Sequence, residues 1–351
     1  MELAIIMNKM NRQLIIEKYG CGNAIVVLDG GKIVDLFIDP PFDCNFYAPN
    51  TFVEAKIQRR ISKRGGYFVT LPNRKQGFLK SSIDYSEGTA IVLLSKVFFD
   101  EDKPQTFTDK LKIISKYFIL RFGNSGFSFS RKTSRNFCKD KLIPILEERI
   151  KEHEGVFIIC RSRMAHENFE KIIKELDKIL QHRNTVMESI FVKKQYCDGK
   201  AKRSALDKYD VEKYLVTEEE GIFERLGLWD KINELSLRKI YISDGAYLIF
   251  EQTSAFFAID VNSGKNLEVG VKELNLLASR EICRLIKVLG LGGKIIIDFL
   301  PCTKADKRLI YDFIVGSFLD DIPINKIWGW TNAGSFELER ERDKSPLKLL
   351  V

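Results

Sequence analysis

The stretch AFFAIDVNSGK, Ala255–Lys265, decides the fold: an apolar run that stops at Asp260, Val261 and Asn262. Read alone, it is a buried strand leaving a core and turning on Asp, Asn, Ser and Gly, the usual turn formers. Its neighbours add more. AYLIFEQTSAFFAIDVN (Ala246–Asn262) reads as a hairpin and GKIIIDFL (Gly293–Leu300) as a buried strand. Between them, Asn275 to Leu289 reads as a helix with Leu277, Ala278, Ile282, Leu285, Ile286 and Leu289 on one side. A strand joined through a helix to another strand is a right-handed parallel crossover in nearly every known case, which puts the carboxyl ends of both strands on one edge of the sheet. Asp260 and Asp298 each stand at such an end.

Adjacent strands lie about 4.8 Å apart and magnesium binds oxygen at about 2.1 Å, so carboxylates leaning together from neighbouring strand ends can hold one ion. Burying both without a partner would cost several kcal/mol, which a cation or a buried arginine would offset. Asn262 shares a face with Asp260 if the strand continues, where its amide can orient the carboxylate. LGLGGK (Leu289–Lys294) has the look of a nucleotide-binding glycine loop, but it follows a helix and precedes a strand, the reverse of what phosphate binding at a helix N-terminus needs. It reads as a helix stop, with Gly290 or Gly292 supplying the left-handed cap.

The rest of the 351 residues allow two or three domains, and 45% hydrophobic content gives each a core. NAIVVLDGGKIVDLFID (Asn23–Asp39) reads as two strands around Asp29-Gly30-Gly31. Short strands alternating with turns from Thr51 to Val97 suggest a small barrel. Lys56, Arg59, Arg60, Lys63, Arg64, Arg74, Lys75 and Lys80 make that region cationic, in a chain of net charge +8. Phe68 and Phe78 sit among these cations; they are either barrel core or base-stacking rings of an oligonucleotide-binding surface. HENFEKIIKELDKILQ (His166–Gln181) reads as a helix with Phe169, Ile172, Ile173, Leu176, Ile179 and Leu180 on its buried face. Gln195–Leu235 is charged and gives few signals.

Seven scattered cysteines never form a Cys-x-x-Cys pair, so neither a disulfide framework nor a zinc site is indicated, and a reducing, cytoplasmic setting is expected. No run of 18 apolar residues suggests a membrane span. The three histidines cluster in one charged segment and are read as surface residues.

FFAIDVNSGK, LNLLASREICRLIKVLGLGGKIIIDF and FELERERDKSPL, in that order and spacing, resemble the catalytic region of the ribonuclease E/G family. The resemblance runs back through GFSFSRK, KQGFLKSS, FVEAKIQRR and NRQLIIEKYGCGNAIVVLDGGKIVDLFID, from about Met10 to Leu347. It implies an α/β (α+β), multi-subdomain fold. In this plan a split RNase H-like subdomain (1–46 and 189–235) encloses an OB-type RNA-binding barrel (47–122) and a 5′-end sensor region (123–188), and a DNase I-like catalytic subdomain (236–351) follows. The implied activity is magnesium-dependent endonucleolytic cleavage of single-stranded RNA, leaving a 5′-phosphate and a 3′-hydroxyl, in RNA processing or decay. Asp260 and Asp298 match the family's Mg2+ ligands and Asn262 the asparagine that positions the first. Phe68, Phe78 and Lys103 match RNA-contacting positions of the barrel. Arg161 and Ser162 match an Arg-Thr pair that traps a 5′-monophosphate, with Arg131 and Arg340 matching other basic residues of that region.

The chain departs from the family at Leu300-Pro301-Cys302, where an aspartate and a methionine are usual, at Leu289 for an arginine and at Ser115 for a glycine. It lacks the cysteine pair that shares zinc between subunits, so an oligomer, if formed, is not expected to be zinc-linked. A catalytically weakened RNA-binding relative is the alternative reading, and a structural or ribosome-associated protein a third, which would leave the acidic pair unexplained.

Overall fold

The computed structural model describes residues 11–347 except 21, 42–45, 62–64, 98–102, 131–138, 163, 165–166, 194, 197–199, 210, 244, 266–268, 319–320, 322–324 and 346. The chain divides into two compact units, Met1–Cys44 with Gly199–Val351, and Asn45–Asp198.

The first unit opens with β1 (Arg12–Tyr19), β2 (Gly22–Asp29) and β3 (Lys32–Ile38), an antiparallel meander. Asp29 pairs with Lys32 across a two-residue loop in which Gly30 and Gly31 have φ of 56° and 77°, the paired positive φ of a turn that matches strand twist. Ala24 to Leu28 are all buried, as a strand covered on both faces requires.

In the second unit, β4 (Phe52–Ile61), β5 (Gly66–Thr70), β6 (Gln76–Lys80), β7 (Ala90–Ser95) and β8 (Thr106–Thr108) close into a barrel through a β4–β7 pairing. The closing strand β8 lies beyond Val97, where the sequence pattern ended; it is three residues long and runs parallel to β6. Inward residues Val53, Ala55, Ile57, Tyr67, Val69, Leu79, Leu93 and Phe107 form the barrel core. The next four strands, β9 (Lys112–Ile114), β10 (Phe118–Phe122), β11 (Gly126–Phe129) and β12 (Val156–Cys160), make a separate sheet in the order β11-β12-β10-β9. Strands on either side of residue 122 therefore share one sheet, although the resemblance put a boundary there. Helices α1 (Lys139–Glu152) and α2 (Phe169–Lys193) share a core with this sheet through Leu142, Leu146, Ile172, Leu176, Ile179 and Leu180. Val186 and Ile190 carry the apolar stripe past Gln181, so α2 runs about three turns beyond the end expected from the sequence. A short β13 (Gln195–Tyr196) pairs with β4.

The chain then returns to the first unit. Helix α3 (Lys200–Lys208) packs Ala201 and Ala205 against Ile25 and Val27, while β14 (Leu215–Glu218) adds to β1 in parallel. Two short helices, α4 (Ile222–Arg225) and α5 (Leu228–Leu235), lead into a six-stranded sheet. Its strands are β15 (Lys239–Ser243), β16 (Ala246–Gln252), β17 (Phe257–Asn262), β18 (Gly293–Asp298), β19 (Asn325–Trp330) and β20 (Phe336–Arg340), ordered β15-β16-β17-β18-β20-β19. Helix α6 (Val271–Val288) makes the expected parallel crossover from β17 to β18, and α7 (Lys304–Ser317) follows β18. One sheet face buries Leu248, Ile259, Val261, Ile295 and Ile297 with Ala278, Ile282, Leu285 and Ile286 of α6. Gly290, at φ 64°, ends α6, and the Leu291 N–H donates to the Ile286 carbonyl at 2.9 Å, the cap that satisfies an orphan carbonyl. Strands β15, β19 and β20 were not anticipated; their apolar residues alternate with Lys, Tyr, Trp and Glu, a weaker signal than the continuous run of β18.

Candidate active site

Asp260 and Asp298 are Cα partners in the parallel β17–β18 ladder. Side chains opposite each other in register project from the same face, about 4.8 Å apart at the backbone. That face is the one turned away from the helices: both aspartates are exposed, while Ile259, Val261 and Ile297 beside them are buried. The Asn262 amide donates to Asp260 Oδ2 at 2.8 Å, so the asparagine shares the face and fixes its neighbour's carboxylate. Exposure corrects one premise of the sequence reading: the pair is not buried, and no desolvation cost demands a counter-charge. Among the described residues no cation pairs with either aspartate, so a buried arginine does not account for them. Two adjacent carboxylates and an amide form a hard, all-oxygen donor set open to solvent, which suits a magnesium ion that keeps several of its waters. Among the described residues no group of three His, Cys, Asp or Glu side chains could hold a metal; Cys160 and Cys283 are buried thiols, pushed up to about 12 by burial.

What positions the second aspartate was missed in the sequence. Asn275, fully buried on α6, donates from Nδ2 to the Leu300 carbonyl at 2.9 Å and accepts the Leu300 N–H on Oδ1 at 3.2 Å. This two-bond clamp grips the chain two residues past Asp298. A polar residue within an apolar helical stripe was the available signal. The clamp holds backbone, so the departure at Leu300 leaves it intact. Just beyond, Thr303 caps α7 reciprocally with Asp306, the Asp306 N–H donating to Thr303 Oγ1 at 3.2 Å. Leu289, another departure, lies in the core.

In the barrel, Phe68 and Phe78 face each other across β5–β6, rings 6.3 Å apart and inclined at 71°. Both are half-buried and outside the core formed by their neighbours Tyr67, Val69 and Leu79; Arg59 lies 5.1 Å over the Phe68 ring. Lys103 is exposed, and its segment passes beside the pair, since the Phe78 N–H donates to the Gln105 carbonyl at 2.9 Å. Lys56, Arg59, Arg60, Arg74, Lys75 and Lys80 are all exposed, whereas Lys63 and Arg64 lie outside the described residues.

Arg161 and Ser162 follow β12 and precede α2, which starts at Phe169 rather than near His166, a residue outside the described ones. Arg161 Nη1 donates to the Ser115 carbonyl at 2.7 Å. Beside it the Ser115 hydroxyl is buried and has no partner among the described residues. Arg131 lies outside the described residues. Arg340 is in the other unit and fully buried: it donates to Asp321 at 2.8 Å, to Asp343 at 2.8 Å and to the Leu291 carbonyl at 3.0 Å. A guanidinium so enclosed is out of reach of a phosphate in solvent, which corrects the sensing role expected for Arg340.

Residues 184–343 match the profile of the ribonuclease E/G family, a span that holds Asp260, Asn262, Asp298 and Asn275. Over that span, the chain is similar to the ribonuclease E/G family. Ribonuclease G of Escherichia coli K12 is 28% identical over 138 residues, 38% of this chain and 28% of that protein. Ribonuclease G of Haemophilus influenzae is 27% identical over 173 residues, 47% of this chain and 35% of that protein. A chloroplastic ribonuclease E/G-like protein of Arabidopsis thaliana is 28% identical over 138 residues, 37% of this chain and 14% of its own length. The chain thus spans about a third or less of the curated relatives it matches, and the span similar to the family begins beyond the barrel strands. No helix among the described residues is long and apolar enough to cross a membrane.

Proposed function

We propose that the protein is a magnesium-dependent endoribonuclease that cuts single-stranded RNA to 5′-phosphate and 3′-hydroxyl ends. The observation that carries this reading is the Asp260–Asp298 register on an open sheet face, with Asn262 bonded to the first carboxylate. Asp260 and Asp298 would hold the ion, whose charge lowers the pKa of a bound water and stabilises negative charge gathering on the phosphate. Asn262 keeps Asp260 in one orientation, and Asn275 keeps the chain after Asp298 in place. The exposed cations of the barrel, with Phe68 and Phe78 outside its core, support its role in gripping RNA.

The test is cleavage of a short single-stranded oligoribonucleotide with and without magnesium, by the parent and by Asp298→Asn. Metal-dependent cleavage that the variant loses supports the reading. Tight RNA binding with no cleavage by the parent would turn it toward the weakened RNA-binding relative.

A 5′-monophosphate preference is part of the proposal, resting on Arg161, which donates to the Ser115 carbonyl, and on Ser162 beside it. We expect 5′-monophosphorylated RNA to be cut faster than the same oligonucleotide with a 5′-hydroxyl, and Arg161→Ala to bring the two rates together. Equal rates in the parent would remove the sensor and leave the metal pair standing.

A further inference from the structure

The six-stranded sheet carries more than the aspartates on its open face. Register across four strands places Lys239, Ile249, Asp260 and Asp298 in one row, and Tyr241, Tyr247 and Asn262 in the next. Alternate residues Ile240, Ile242, Leu248, Ile259 and Val261 turn to the core, so the two tyrosines stand on the aspartates' side of the sheet. Tyr241 is 65% exposed. Its ring lies 5.9 Å from that of Tyr247 at 64°, and Lys239 Nζ sits 3.7 Å from the Tyr247 centroid and 4.8 Å from that of Tyr241. Tyr247 is one strand from Asn262 and Tyr241 two, roughly 5 and 10 Å across the sheet.

Packing does not require this group. A tyrosine on an edge strand with most of its ring in water contributes little to the core, and an ammonium held over two rings is one that a phosphate can also reach. We propose that Lys239, Tyr241 and Tyr247 form a stacking site for one base of the single strand beside the phosphate being cut, with Lys239 contacting the backbone. This rests on the nuclease reading only for what lies at the neighbouring carboxylates; the stack itself rests on the rings. Every base has a π-face, so the site sets the position of the strand and not its sequence.

The experiment uses full-length Asp298→Asn and a short single-stranded oligoribonucleotide carrying the fluorescent base 2-aminopurine at successive positions, whose emission falls on stacking. Quenching is expected at one position. Adding Tyr241→Leu should abolish that quench and weaken binding about 5- to 150-fold, while Tyr241→Phe keeps both. An unfolding midpoint unchanged by Tyr241→Leu checks that the sheet is intact. Quench and affinity that survive Tyr241→Leu, or quenching at no position, overturn the site. In parallel, cleavage by the parent in magnesium tests the other reading. Cleavage with a quench indifferent to Tyr241 leaves the nuclease and removes the stack; a Tyr241-dependent quench without cleavage does the opposite.

Discussion

At the scale of single residues, the acidic pair sits where substitution disturbs chemistry more than structure. Asp260 and Asp298 are exposed and outside the apolar core, so Asp260→Asn or Asp298→Asn should move unfolding stability by no more than about 0.5 kcal/mol. If the pair holds the ion as proposed, loss of one ligand removes several kcal/mol of charge stabilisation, so cleavage should fall at least about 100-fold with RNA affinity largely kept. Asn262→Ala removes only the bond that orients Asp260, and a loss of about 10- to 100-fold is expected. Initial rates in magnesium beside a binding titration check all three. An aspartate variant cutting near the parental rate would sink the metal assignment.

At the scale of elements, the site depends on how helix α6 meets strand β18. Asn275→Ala deletes both partners of the Leu300 peptide, so it should cost about 1 to 3 kcal/mol of stability and lower cleavage by freeing the chain beyond Asp298. Urea unfolding read against single-turnover rates measures both; a loss of stability with unaltered cleavage would confine Asn275 to packing. The barrel makes a different prediction. Because Phe68 and Phe78 lie outside its core, replacing either by Ala should weaken RNA binding by about 1 to 3 kcal/mol and leave the fold in place. Binding should also fall steeply with added salt, because each phosphate neutralised by an exposed lysine or arginine releases a counterion to solution. Affinity indifferent to both rings would limit the barrel to electrostatics.

At the scale of the first unit, a buried ionic cluster ties distant parts of the chain together. Asp35 of β3 is fully buried, bonded to Lys208 at 2.6 Å, to Tyr209 at 2.8 Å and to Lys344. Asp321 joins through Lys208, 3.7 Å away, and through Arg340. Burial alone would raise the Asp35 pKa, but Lys344 and Lys208 overcome it and hold the carboxyl far below the usual carboxylate range; Asp321 is lowered in the same way, with Arg340 as its main partner. An aspartate whose folded pKa is depressed takes up protons more readily when unfolded. Its stabilisation is therefore complete above the ordinary carboxylate pKa of about 4 and drains away as pH falls below it. Asp35→Asn should cost about 3 to 5 kcal/mol near neutrality, because it strands two lysines in a low-dielectric site. It should also flatten the acid limb of the stability curve. Urea midpoints of parent and variant from pH 7 to 3 check both, and parallel curves would show that Asp35 carries no such linkage.

Much of this could be read from the order of residues alone. The Gly30-Gly31 turn, the α6 stripe, the helix stop at Gly290 and the β17–α6–β18 crossover are local patterns, set by backbone sterics and by hydrophobic period, and the crossover by itself brought Asp260 and Asp298 to one edge. Asn262 was legible too, because period-2 alternation fixes which face a strand residue occupies. Other features depended on partners far away in the chain. The three-residue strand that closes the barrel has too few residues to show a period, and the outward turn of Phe68 and Phe78 follows from which of two alternating sets the barrel encloses. Arg340 has the same charge whether it meets a phosphate or two aspartates; only the packing of β20 beside Asp321 and Asp343 settled that it meets aspartates. The Asn275 clamp and the row from Lys239 to Asp298 join positions 25 to 59 residues apart. Sequence spacing is blind to such contacts, because hydrogen bonding and sheet register act through distance in space.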